Sequence, residues 1–186
     1  MPKKYLAISC FLFIAIIIAG CAGGNKEVGL NDGASPKVSQ SQLYNAEDLL
    51  SREDAESILE EAVGEPEITE SPVGSVCFYS PQVDGLQVRF VQISLHQTRA
   101  FTDAMQSNGY TAAQLYDDSL ALLEDTQPIE GLGKDAFWGG SGLQAGAGLH
   151  VLQNDDLYFS ISVGLGNDED NLAAAQILAE RVMQRL

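Results

Sequence analysis

Leu157-Tyr158-Phe159-Ser160-Ile161-Ser162-Val163 alternates large apolar residues at odd positions with Tyr158, Ser160 and Ser162 at even ones, directly after Asn154-Asp155-Asp156. Successive side chains of a strand point to opposite faces, so this period of two predicts an antiparallel strand with one face in the core and one toward solvent. The Asn-Asp-Asp run predicts a turn, because short polar side chains hydrogen-bond to their own backbone there. Its partner strand is then roughly Ala145 to Gln153. Hairpins of this kind place the chain among α+β folds, in which helices pack on an antiparallel sheet, and not among parallel βαβ folds.

Working outward, the C-terminal segment from about Glu169 to Arg185 brings Leu172, Ala175, Ala179 and Val182 onto one helical face, with Arg181 and Arg185 near the negative end of the dipole. Upstream, Ser51 followed three residues later by Asp54 predicts a capping box, and the helix it opens is expected to stop at Gly64 and Pro66. Val76 to Tyr79 reads as a short strand and Leu86 to Leu95 as a long one, joined at Asp84-Gly85. The apolar phase changes inside the long strand, which implies either two buried faces or a bulge near Phe90. Helical spacing returns at Phe101, Ala104 and Met105, stopped by Gly109, and again from Tyr116 to Leu123; Phe137-Trp138 precedes the final hairpin. The expected order is α-β-β-α-β-β-β-α, with about five strands in one antiparallel sheet and a single domain over residues 45–186.

The N-terminus has a different character. Lys3 and Lys4 precede sixteen uncharged, mostly apolar residues, Tyr5 to Gly20, which end at Ile18-Ala19-Gly20-Cys21. This is the layout of an export signal over residues 1–20. The run is short for a permanent span, which needs about 20 apolar residues. Ile18-Ala19-Gly20-Cys21 resembles the lipobox of bacterial lipoproteins. The resemblance implies that Cys21 is the lipidation site, exposed by cleavage and carrying acyl chains such as palmitate. An uncleaved anchor and cleavage after Ala22 are the other readings. Each buried methylene contributes about 0.8 kcal/mol, so two or three chains hold a protein firmly on a membrane. Ala22 in place of aspartate implies, by the same resemblance, the outer membrane where the source has two membranes. Residues 21–44 are rich in Gly, Ser, Asn and Gln and read as a lipidated flexible tether.

Ten Lys and Arg stand against 26 Asp and Glu, a net charge of −16, and removal of Lys3 and Lys4 with the signal takes it to −18. Nucleic-acid binding needs clustered cations and is excluded on this ground. Anionic headgroups are repelled as well, which leaves the lipid as the membrane contact and protein or basic ligands as the expected partners. The acid is concentrated from Glu47 to Glu70, where ten carboxylates accompany Arg52 alone. Cys10 leaves with the signal and Cys21 is acylated, so Cys77 is the one remaining thiol and no intramolecular disulfide forms. Cys77 reads as a small buried hydrophobe, with an intermolecular disulfide as the alternative.

Two further stretches carry a resemblance: Val76-Cys77-Phe78-Tyr79 and Gly131-Leu132-Gly133-Lys134-Asp135-Ala136-Phe137-Trp138. They resemble small secreted bacterial lipoproteins of unknown function that have a Cys-x-aromatic strand and a Gly-Leu-Gly-x-x-Ala-aromatic turn. The resemblance implies an envelope lipoprotein with an α+β domain and no assigned chemistry.

The residue types that catalyse reactions are present without the required settings. Ser141 in Gly140-Ser141-Gly142 lacks the strand-turn-helix context of a nucleophile elbow, and Gly131-x-Gly133 lacks the third glycine of a dinucleotide loop. His96 and His150 are not spaced as a zinc pair. Asn167 to Asn171 suits a helix cap better than a calcium loop. No catalytic residue, cofactor or metal is therefore expected, and the function is a non-enzymatic binding or accessory module, with a structural envelope or adhesion component as the alternative. Gly146, Gly148 and His150 share one strand parity, and glycine within a strand marks close approach by a backbone, a packed helix or a ligand. If the tenant is a ligand, it lies in a groove floored by Gly146 and Gly148, with His150 as its polar group and Trp138 as an aromatic wall.

Overall fold

A computed structural model describes residues 43–82, 89–142 and 146–186. The signal segment, Cys21, the tether up to residue 42, the expected turn at Asp84-Gly85 and residue Ala145 lie outside the described residues. The strands are β1 (Glu67–Ser71), β2 (Gly74–Tyr79), β3 (Phe90–Gln97), β4 (Gln127–Pro128), β5 (Asp135–Trp138), β6 (Leu149–Asn154) and β7 (Leu157–Gly164). They form one sheet in the order β1-β2-β3-β7-β6-β5-β4, with every neighbouring pair antiparallel. The helices are α1 (Ala46–Leu49), α2 (Arg52–Leu59), α3 (Asp103–Ser107), α4 (Ala112–Leu122) and α5 (Asp168–Arg185), with a 3-10 turn at Thr98–Ala100. The architecture is α+β, as the hairpin pattern implied.

The detail differs from the expected five strands and order. β1 and the two-residue β4 are additional, and α1 precedes α2. β1 reads Glu-Ile-Thr-Glu-Ser, and all five residues are exposed; an edge strand of this composition has no apolar alternation to reveal it. The Ser51–Asp54 capping box forms as read, but α2 ends earlier than Gly64 because Glu60 turns into the left-handed region at φ 56°.

Register assigns the residues to two faces. Val91, Ile93 and Leu95 of β3 stand opposite Val163, Ile161 and Phe159 of β7, and β6 continues the row with Val151 and Leu149. This face packs against α1, α2 and α5 in a core that includes Leu49, Leu59, Ala175, Leu178 and Val182. The opposite face carries His96, Tyr158, Leu152, His150 and Phe137, and a second core with Tyr116 and Ala112 of α4 covers part of it. β7 was expected to be half-buried; Tyr158 and Ser160 are buried as well, because α4 supplies a layer over the second face. Both cores fall within one compact unit.

Candidate functional site

The structure places Trp138 and His150 on opposite faces of the sheet. Phe137 pairs with His150 and Trp138 with Leu149 across β5 and β6, so Trp138 faces the helix α5 side and His150 the α4 side. The aromatic neighbour of His150 is Phe137, with ring centroids 4.4 Å apart and 7° between planes. A Cβ on Gly148 would stand 2.6 Å from the Ile161 carbonyl oxygen and 2.7 Å from Ser162 Oγ. A Cβ on Gly146 would stand 2.9 Å from Leu123, just past the end of α4. The glycines accommodate this chain's own strand and helix end, and the four residues do not line a common groove.

His150 is 3% exposed. Its Nε2 lies 2.7 Å from the Gly146 carbonyl oxygen, which only accepts, so Nε2 carries the proton. Neutral Nδ1 then accepts from the Tyr158 hydroxyl at 2.5 Å. Burial drives the His150 pKa down to about 4, although the Gly146 carbonyl opposes the shift. His96 stacks on Tyr158 with centroids 4.8 Å apart, and its Nδ1 donates to the Val73 carbonyl at 2.8 Å. Burial lowers its pKa as well. Phe137, His150, Tyr158 and His96 thus form a row of rings across β5, β6, β7 and β3, crossed edge-on by Tyr116 against Tyr158. The His150 imidazole is buried and neutral, with both ring nitrogens hydrogen-bonded, while His96 is half-buried at the end of the row and held by the Val73 carbonyl.

The other polar groups that sequence singled out also have structural partners. Ser141 Oγ donates to Asp168 at 2.5 Å and accepts from the Asn171 amide at 2.9 Å, while Asn167 caps α5 through the Asp170 N–H. Trp138 Nε1 reaches the same Asp168 carboxylate at 3.4 Å. These contacts fasten the loop after β5 to the first turn of α5. Cys77 is fully buried, and burial pushes its thiol pKa up to about 11. Among the described residues, no group of three or more His, Cys, Asp or Glu side chains is placed to hold a metal ion.

One edge of the sheet is open. β1 is the outer strand, and alternate residues of an edge strand direct their N–H and C=O groups away from the neighbouring strand. The far edge is β4, two residues long and containing Pro128, which has no N–H to offer. Glu67 and Glu70 lie on β1; Glu65, just before it, pairs with Arg52 at 2.5 Å. A cleft of about 160 Å³ adjoins the β1–β2 hairpin, bounded by Leu43, Glu70, Ser75, Leu95 and Gln97. Its wall is fixed by the Gln97 amide, which accepts from the Tyr44 N–H at 2.9 Å and donates to the Tyr44 carbonyl at 2.8 Å. The Tyr44 hydroxyl donates to the Leu186 carbonyl at 2.7 Å. Sequence reading registered the acid of this region but not the strand that presents it.

Comparison with protein-family models, with curated proteins and with solved structures yields no match.

Proposed function

We propose that this chain is a lipid-anchored cell-envelope protein whose domain acts outside the cytoplasm as a non-enzymatic binding or accessory module. The observation that carries the reading is the N-terminal run, two lysines, sixteen uncharged residues and Ile18-Ala19-Gly20-Cys21. Acylation at Cys21 holds the chain on the membrane, and the acidic domain is repelled by anionic headgroups, so it presents its surface to other molecules. A binding role is supported by the free β1 edge and the adjoining cleft, which offer backbone hydrogen bonds beside carboxylates. The absence of catalysis is supported by the commitment of both imidazoles and of Ser141 to contacts that hold the fold together.

Mass spectrometry of the N-terminus of protein extracted from membranes tests the reading. The expected species begins at Cys21 and carries a diacylglyceryl group, and Cys21→Ser abolishes both processing and membrane attachment. A free cysteine at that position, a start after Ala22, or retention of residues 1–20 overturns it.

A further inference from the structure

We propose that the β1 edge and the cleft beside Glu70 form one docking site for an extended, lysine- or arginine-bearing polypeptide segment, added to the sheet as an eighth strand. The inference rests on the binding-module reading and names the class of partner. Three observations converge on it. First, β1 is a five-residue outer strand whose residues are all exposed, and a sheet edge of that length can hydrogen-bond an incoming strand along its backbone. Second, the charge is of one sign: from Glu53 to Val88 the sequence contains no lysine or arginine. Neither Glu67 nor Glu70 takes part in an ion pair among the described residues. Third, Glu70 and Ile68 share the face on which the cleft opens, since Glu70 stands opposite Ser75 and Ser75 opposite Leu95.

The side chains decide the partner's chemistry. A strand laid along β1 projects every second residue toward the cleft. There Leu43, which is exposed, offers apolar surface and Glu70 a carboxylate. The long stem of a lysine or arginine packs on the former while its cationic head meets the latter. Glu67 lies on the opposite face, where an adjacent cation is likewise favoured over an anion.

Acidic residues on an edge also guard against self-association, and here the guard is selective. A second copy pairing through β1 would place glutamates of two chains against each other, so self-pairing is disfavoured where a cationic strand is attracted.

The test uses the full-length chain in detergent and three labelled peptides of equal length: alternating lysine and threonine, alternating lysine and proline, and alternating aspartate and threonine. The lysine-threonine peptide is expected to bind saturably by fluorescence anisotropy and to protect residues 67–71 from hydrogen exchange. The lysine-proline peptide has the same charge but half the amide donors, and should bind about tenfold more weakly; the aspartate peptide should not bind. Glu67→Lys with Glu70→Lys should weaken the lysine-threonine complex about tenfold or more while leaving the unfolding midpoint unchanged, because both side chains are exposed.

Equal binding of the two cationic peptides overturns strand addition, and undiminished binding by the double variant overturns the site. Protection confined to other segments overturns the location. Sedimentation showing a concentration-dependent dimer that the double variant abolishes would assign the edge to a second copy instead. None of these outcomes depends on the mass of the N-terminus, which tests the anchor separately.

Discussion

Replacing Asp54 with asparagine probes the electrostatic joint between the two ends of the domain. Asp54 is 5% exposed and completes the capping box of α2, where Oδ2 accepts from the Ser51 N–H at 3.0 Å. The same carboxylate receives Arg181 at 3.1 Å and Arg185 at 2.5 Å from the last turns of α5. Arg185 also donates to the Leu49 carbonyl at 2.6 Å, so one residue ties α1, α2 and α5 together. Burial alone would raise the Asp54 pKa; hydrogen bonds from Arg185 and the Ser51 backbone, with the Arg185 charge, override it and hold the value at about 2 against an ordinary 3.8. At 1.36 kcal/mol per pKa unit the ionised form contributes about 2 kcal/mol to stability. The cost of removing it falls short of the 3–5 kcal/mol typical of fully buried pairs, because both arginines are about one-third exposed and regain water.

The expected loss for Asp54→Asn at pH 7 is therefore about 2 kcal/mol, and Asp54→Ala adds about 1 kcal/mol for the lost cap. Urea unfolding followed by fluorescence of Trp138, the single tryptophan, measures both. The sign of the pH dependence follows from the depressed pKa: the contribution is fully present above about pH 4 and disappears as pH falls through 2. The difference between wild type and Asp54→Asn should shrink over that window. A difference that is absent at pH 7, or that does not change between pH 5 and pH 2, refutes the assignment of an electrostatic joint.

Gly148→Ala should destabilise the domain by about 3 kcal/mol or more, since a Cβ meets the Ile161 carbonyl oxygen and φ is 130°. Gly142→Ala, at φ 109° with nothing among the described residues within 4 Å, should cost only the conformational strain of about 1 kcal/mol; similar losses for the two would contradict the packing account. His150 has its pKa lowered to about 4 by burial, so it remains neutral in the folded protein at pH 5, with the proton on Nε2, as nitrogen NMR can read directly. Its contribution to stability is complete above about pH 6.5 and declines as pH falls toward 4; an imidazolium signal from the folded state at pH 5 would refute the buried row of rings. Cys77, fully buried with its thiol pushed up to about 11, should react with a disulfide reagent only after urea unfolding, and rapid reaction in buffer would place it at a surface.

The residues that were legible in the sequence are those whose signal is local. Ser51 and Asp54 lie three residues apart and cap α2. Asn154 Oδ1 accepts from the Asp156 N–H at 2.9 Å inside the turn it was expected to form. The long amphipathic run became α5 over Asp168–Arg185. Where the reading stopped, the deciding contact was distant. Asp54 finds Arg185 across 131 positions, and no spacing rule connects them. The parity of Gly146, Gly148 and His150 was visible, but it took the register of β5 on β6 to bring Phe137, and not Trp138, over His150. β7 was read as half-buried because its even residues are polar; the packing of α4 buries Tyr158 and Ser160 nonetheless.

The edge strand β1 had no signal at all, since five exposed residues need no hydrophobic pattern to pair on one side with β2. Sequence by itself determined the acidic charge, the Asn154–Asp156 hairpin turn and the Ser51 and Asn167 helix caps, because each depends on composition or on residues within one turn of one another. Tertiary structure alone decided which faces are covered, which polar groups are consumed in the core and which edge stays open. Those outcomes depend on register and on layers brought together from opposite ends of the chain.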